Sequence, residues 1–193
     1  MRSTRKERLC EEPHIFIIER FLDSSVCMEI IKSFKSNLKE ATVTDGSKHS
    51  LSEARTGKVY FLKQEDELNI MLLKKICDLF NWGINDTESV QIALYKKGEL
   101  YDAHLDAFDD ETVKRNPKGQ RIITNLIYLN DVKQGGSTLF PKIGIKVNPK
   151  EGRLLSFENC IKNTSFLNPF SIHQSLPVEK GEKWIAAIWL RKK

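Results

Sequence analysis

In the first half of the chain the apolar positions fall at helical intervals in two places. Val26, Ile30, Ile31, Phe34 and Leu38 recur about every fourth residue after Asp23 and Ser24, residue types suited to capping a helix N-terminus. Leu68, Met71, Leu72, Ile76, Leu79 and Phe80 repeat the spacing. Each stripe predicts a helix with one face on a core. From Glu88 onward the texture changes to short runs with β character: SVQIALY, AHLDAF, RIITNLIYL, STLF, IKV, RLLSF, SIHQSLPV and KWIAAIWLR. Gly, Pro, Asn and Asp separate them. Runs of this kind predict an antiparallel barrel or jelly roll, with the helices packed outside it as a buttress.

Composition narrows the picture. A chain of 193 residues fits one core, and no internal repeat, low-complexity tract or linker divides it. The four cysteines, Cys10, Cys27, Cys77 and Cys160, form no CxxC pair, which argues against a zinc ribbon or a redox dithiol. Ile15 to Ile18 is too short for a signal-peptide core, and no segment approaches the roughly 20 apolar residues that span a bilayer. A cytoplasmic protein with no membrane partner is expected. The formal net charge is +5, with basic residues crowding Arg2 to Arg8 and Arg191 to Lys193. No aromatic residues are interleaved with them, so they read as solvated tips rather than a grip on nucleic acid.

Candidate chemistry enters at YDAHLDAF. On a strand, positions i and i+2 share a face, so His104 and Asp106 would point together into the barrel while Leu105 points away. An imidazole and a carboxylate side by side offer a metal one nitrogen and one oxygen donor. A further histidine would complete the two-histidine, one-carboxylate set that leaves positions open for substrate and dioxygen at iron(II). His14 lies near the start of a strand before the helices, and His49 falls in a polar stretch, DGSKHSLSE, that reads as an exposed loop. His173 sits in a late strand, which a jelly roll can fold back opposite the HxD strand. Lys183, ten positions later, opens a largely apolar strand. It either faces solvent there or enters the barrel to meet an anion, since an isolated buried charge is expensive.

From Arg55 to Arg191 the chain resembles the catalytic domain of the prolyl 4-hydroxylase family of iron(II)- and 2-oxoglutarate-dependent dioxygenases. The matching pieces arrive in order: RTGKVYFLKQED, ESVQIALYKKGELYDAHLD, RIITNLIYLNDVKQGGSTLFP, VNPKEGRLLSFEN and HQSLPVEKGEKWIAAIW. The resemblance implies a mainly β fold with flanking helices, a double-stranded β-helix (jelly roll) in a single catalytic domain. Residues 1–85 would form a helix-rich N-terminal support and 86–193 the core. His104, Asp106 and His173 would bind iron(II), and Lys183 would pair with the distal carboxylate of 2-oxoglutarate. Tyr128, Tyr95 and Thr138 would line the cosubstrate pocket. Arg55, Glu88, Arg121 and Trp189 match peptide-contacting positions, with Trp189 as a flat wall for a proline ring.

The implied reaction hydroxylates a prolyl residue of a peptide or protein while 2-oxoglutarate is decarboxylated to succinate, with dioxygen as oxidant and ascorbate as a further cofactor. A free amino acid or other small molecule is the close alternative substrate. The polar stretch Asp109 to Gln120 would make a mobile lid. Gly57, Gln174, Ser175 and Arg191 depart from the family pattern on the substrate side, so iron and 2-oxoglutarate are firmer expectations than proline. Oxidative demethylation of nucleic acid is permitted by the charge, but enzymes of that kind clamp 2-oxoglutarate with arginine. A non-catalytic jelly-roll module would not need the full set of metal and cosubstrate residues, and a halogenase would lack the Asp106 carboxylate.

Overall fold

A computed structural model of the chain describes residues 5–40, 42–45, 48–51 and 55–192, with side chains described outside residues 41–54. In chain order the elements are β1 (Lys6–Cys10), β2 (Ile15–Ile18), α1 (Ser24–Phe34), β3 (Lys39–Glu40), β4 (Thr42–Asp45), β5 (Lys48–Leu51), β6 (Lys58–Phe61) and α2 (Glu67–Phe80). There follow β7 (Gln91–Tyr95), β8 (Tyr101–His104), α3 (Asp110–Arg115), β9 (Gln120–Tyr128), β10 (Gln134–Gly135), β11 (Thr138–Phe140) and β12 (Ile145–Val147). The chain closes with β13 (Leu154–Glu158), β14 (His173–Ser175), β15 (Val178–Lys180) and β16 (Lys183–Lys192). An eight-stranded sheet in the order β1-β2-β13-β9-β16-β7-β6-β3 faces a four-stranded sheet in the order β12-β11-β14-β8, the two walls of a jelly roll.

Alternation along β16 sorts its side chains between two cores. Trp184, Ala186, Ile188 and Leu190 pack toward the helices, whereas Ile185, Ala187 and Trp189 point between the sheets onto Phe140, Val147 and Phe157. Lys183 has the second parity and therefore points inward. The apolar run of β2 is read in the same way: Phe16 and Ile18 lie under the helices, and Ile15 and Ile17 enter the barrel. A strand covered on both faces has no polar alternation, which accounts for an uninterrupted Ile-Phe-Ile-Ile.

Both predicted helices form. α1 buries Cys27 and Ile30, and α2 buries Leu72, Leu73, Ile76 and Cys77. Asp23 occupies the N-cap position of α1 without a side-chain capping hydrogen bond, and the Ser24 hydroxyl donates to Glu151 instead. Leu38 lies beyond the helix yet packs on the same core, while Met71 and Leu79 at the edge of the second stripe are exposed. α2 ends at Asn81, whose left-handed φ of 50° breaks the helix.

The N-terminal 85 residues supply more than helices: β1, β2, β3 and β6 extend the large sheet at both ends. His49 lies on β5, which pairs with β4, rather than in a loop. Arg191 is 3 % exposed and so belongs to the interior, not to a solvated tail. Among the described residues, no helix is long and apolar enough to cross a membrane.

Candidate active site

Three of the predicted side chains meet where the small sheet approaches the large one. β14 pairs antiparallel with β8 so that His173 lies directly opposite His104. Asp106 stands just past the end of β8, in a bend, so strand alternation alone does not aim it. Hydrogen bonds do: the Thr124 hydroxyl and the Trp189 indole N–H donate to Asp106 Oδ2 at 2.7 and 2.9 Å. Asn159 supports Thr124 in turn, its amide donating to the hydroxyl oxygen at 2.8 Å. Oδ2 is thus occupied, and Oδ1 lies 3.5 Å from His104 Nε2.

The imidazoles are fixed from behind. His104 Nδ1 contacts the Asp102 carbonyl at 2.7 Å and His173 Nδ1 the Ser171 carbonyl at 3.1 Å. A carbonyl can only accept, so each Nδ1 carries the hydrogen and each Nε2 keeps its lone pair. The Tyr101 ring stacks on His104, with centroids 3.7 Å apart. Burial, helped by the neighbouring His104, lowers the His173 pKa to about 4, which keeps the ring neutral. Burial by itself would raise the Asp106 carboxyl, but the charge that His173 or His104 would carry if protonated, together with the Arg121 guanidinium, outweighs it and holds the group well below its usual range, so the carboxylate is ionised where the imidazoles are neutral. The three ligand atoms lie within 4.8 Å of one another. Two neutral nitrogens and one ionised carboxylate oxygen on one side of a point are the donor set that suits iron(II) with positions left open.

Beside this cluster a cavity of about 340 Å³ runs from Arg55 and Phe61 at its rim past His104, Asp106 and His173 to Lys183. That volume lies within the range of small-molecule sites, about 300–1,000 Å³. Lys183 is 1 % exposed, and its one hydrogen-bond acceptor among the described residues is Ser175 Oγ at 2.8 Å. Tyr95 and Tyr128 place their rings 5.6 and 5.7 Å from its ammonium. Loss of solvent lowers the Lys183 pKa to about 7. A buried ammonium that has no carboxylate partner among the described residues fits an anionic ligand carboxylate. Tyr128 donates to Thr138 Oγ1 at 2.8 Å, and Thr138 lines the same cavity. Gly57 presses on Tyr95: a Cβ there would lie 2.7 Å from the ring.

The four residues expected to touch peptide divide. Arg55 and Arg121 line the cavity, but Glu88 does not. Its carboxylate instead accepts from Arg121 Nε and Nη2 at 2.6 Å each and from Arg191 Nη1. Trp189 lines the cavity, but its indole nitrogen is engaged with Asp106 and its ring lies under the Arg121 guanidinium, 4.0 Å from the centroid. It therefore lines the cavity while also holding the Asp106 carboxylate. Within the expected lid, Asp110–Arg115 is a helix capped by Asp109, whose carboxylate accepts from Thr112 N at 2.7 Å. Gln120 closes the base of that segment with paired bonds to the Phe108 backbone, 2.8 Å each.

Thr124, Tyr101 and Phe61 are not among the expected site residues, and Ser175, expected on the substrate side, instead accepts from Lys183. A signal existed for Ser175, which lies two residues after His173 on one strand face. Thr124 carried none, because its role depends on β9 lying behind the bend at Asp106.

The comparisons agree with this geometry. The family model described as the 2OG-Fe(II) oxygenase superfamily matches residues 90–191. Prolyl 4-hydroxylase 2 of Arabidopsis thaliana is 31% identical over 211 residues, covering 97% of this chain and 70% of its own length. Prolyl 4-hydroxylase 5 of the same plant is 34% identical over 202 residues, covering 92% and 68%. The crystal structure of a viral collagen prolyl hydroxylase from Paramecium bursaria chlorella virus-1, in complex with 2-oxoglutarate, superposes with a TM-score of 0.76 at 28% identity, covering 96% of this chain and 99% of that one.

Proposed function

The chain belongs to the prolyl 4-hydroxylase family of 2OG-Fe(II) oxygenases, and from that premise we propose that it hydroxylates a prolyl residue in a peptide or protein while decarboxylating 2-oxoglutarate to succinate. The observation that carries this reading is one cavity lined by a His-Asp-His donor set and by a buried ammonium that has no carboxylate partner among the described residues. A collagen-directed relative of matching length supports the peptide as substrate class.

His104 Nε2, Asp106 Oδ1 and His173 Nε2 hold the metal in this assignment. Lys183 receives the distal carboxylate of 2-oxoglutarate, with the Ser175, Thr138 and Tyr128 hydroxyls close by to share the contact. When bound, iron(II) and the cosubstrate together activate dioxygen, one oxygen atom leaving in succinate and the other entering the substrate C–H bond. The chain's own part is positional. Thr124 and Trp189 keep Oδ1 turned to the metal, the Asp102 and Ser171 carbonyls keep both imidazoles in one tautomer, and the buried walls exclude water around the reacting carbon.

Anaerobic addition of iron(II) and 2-oxoglutarate should give a weak visible charge-transfer band that Asp106→Ala removes. Under oxygen, mass spectrometry should find one added oxygen on proline-containing peptides, with free amino acids unchanged and methylated oligonucleotides keeping their methyl groups. Oxidation of either comparison substrate in place of the peptides would overturn the prolyl assignment.

A further inference from the structure

The cavity keeps a surplus of positive charge after metal and cosubstrate are counted. Asp106 is the one carboxylate among its lining residues, while Lys183, Arg55 and Arg121 all line it. If the cofactor assignment above holds, iron(II) and the Lys183 ammonium are balanced by Asp106 and the two carboxylates of 2-oxoglutarate. What remains lies beyond them, where among the described residues Glu88 is the one carboxylate that pairs with a guanidinium at this end, and it serves both Arg121 and Arg191.

Arg121 is doubly paired with Glu88, whereas Arg55 and Arg191 each keep a buried nitrogen unpaired among the described residues. The one hydrogen-bond acceptor of Arg55 among the described residues is the neutral Gln91 side chain at 2.7 Å, and its buried Nε has no partner. Its other contact is the face of Tyr101, 4.7 Å away. Arg191 turns Nη2 to the Gly119 carbonyl and also leaves a buried Nε unpartnered. Phe108 lies 4.8 Å from both Arg121 and Arg191, so an aromatic face stands where a second carboxylate would otherwise balance them. Arg191 adds the second guanidinium to Glu88.

We infer that the substrate carries a carboxylate toward the Arg55–Arg121 side of the cavity, as an acidic residue adjacent to the hydroxylated one. A partly desolvated guanidinium gains most from a charged acceptor, and a neutral peptide carbonyl leaves the surplus uncompensated. This assignment builds on the prolyl reading and is separable from it by experiment.

Fluorescein-labelled peptides with a central proline flanked by Asp, Asn or Lys would be titrated anaerobically against protein loaded with iron(II) and 2-oxoglutarate, at low and high salt. The Asp peptide should bind on the order of tenfold more tightly than the Asn peptide, and the Lys peptide most weakly. High salt should shrink the difference, Arg55→Gln should reduce it, and Arg55→Glu should move the preference toward Lys. Equal affinity for the three peptides, or a preference for Lys in the unaltered protein, would overturn the inference. The same peptides are then incubated with oxygen. Hydroxylation with no charge preference in binding would leave the prolyl reading standing and remove this one, whereas tight binding of the Asp peptide with no added oxygen would do the reverse.

Discussion

Trp189 joins two parts of the site in one side chain: its N–H holds Asp106 Oδ2, and its ring carries Arg121. Trp189→Phe keeps most of the buried volume and deletes the donor. Iron(II) affinity should fall about 10- to 100-fold, the usual loss when a bond to a metal ligand is removed, with the fold retained; unchanged affinity by anaerobic titration would show that Thr124 alone suffices. Lys183 predicts a pH profile. Its ordinary value of 10.5 is lowered to about 7 in the unliganded protein. Below that value the ammonium is present and 2-oxoglutarate affinity should be flat. Above it each ligand must bring a proton to the lysine, so affinity should weaken by up to about tenfold per pH unit until the pKa of the ligand-bound lysine is reached. The sign for stability is opposite: the unfolded chain binds more protons between about 7 and 10.5, so the unliganded fold gains stability as pH rises through that window. Titrations from pH 6 to 9 on the natural protein and on Lys183→Ala test this, and the variant should bind weakly with no such slope.

Among the elements, the pairing of β8 with β14 brings together ligands 69 positions apart, as the partnership of His104 and His173 records. α1 and α2 pack on the far face of the large sheet, in a core that includes none of His104, Asp106 and His173. Leu72 of α2 is fully buried there, so Leu72→Ala should lower stability by about 2–5 kcal/mol. A fall in the urea midpoint at constant slope would report it, while 2-oxoglutarate affinity at low urea should not change. Altered affinity would mean that the helices support the pocket more directly than the packing indicates. Gly57 shows the opposite coupling, since its close approach to Tyr95 lets the segment leading into β6 set one wall of the cosubstrate pocket.

For the whole molecule, the net charge of +5 is not all at the surface: among the described residues Lys183 and Arg191 are buried, as is the Asp106 carboxylate. The local pattern of the chain was sufficient for the two helices, for most strands after Glu88, and for the HxD pair, because apolar periodicity and donor chemistry are carried by residues near in sequence; His173 needed the expected jelly-roll pairing as well. The pattern marked one strand before the helices, the apolar β2, but not β1, β3 or β6, which are short and carry charged residues, so that their partners identify them. Neither the inward turn of Lys183, nor the bracing of Asp106 by Thr124 and Trp189, nor the sharing of Glu88 by two arginines could be read along the chain. Each depends on which strand lies beside which and in what register, and pairing between strands far apart in sequence exists only once the sheets have closed.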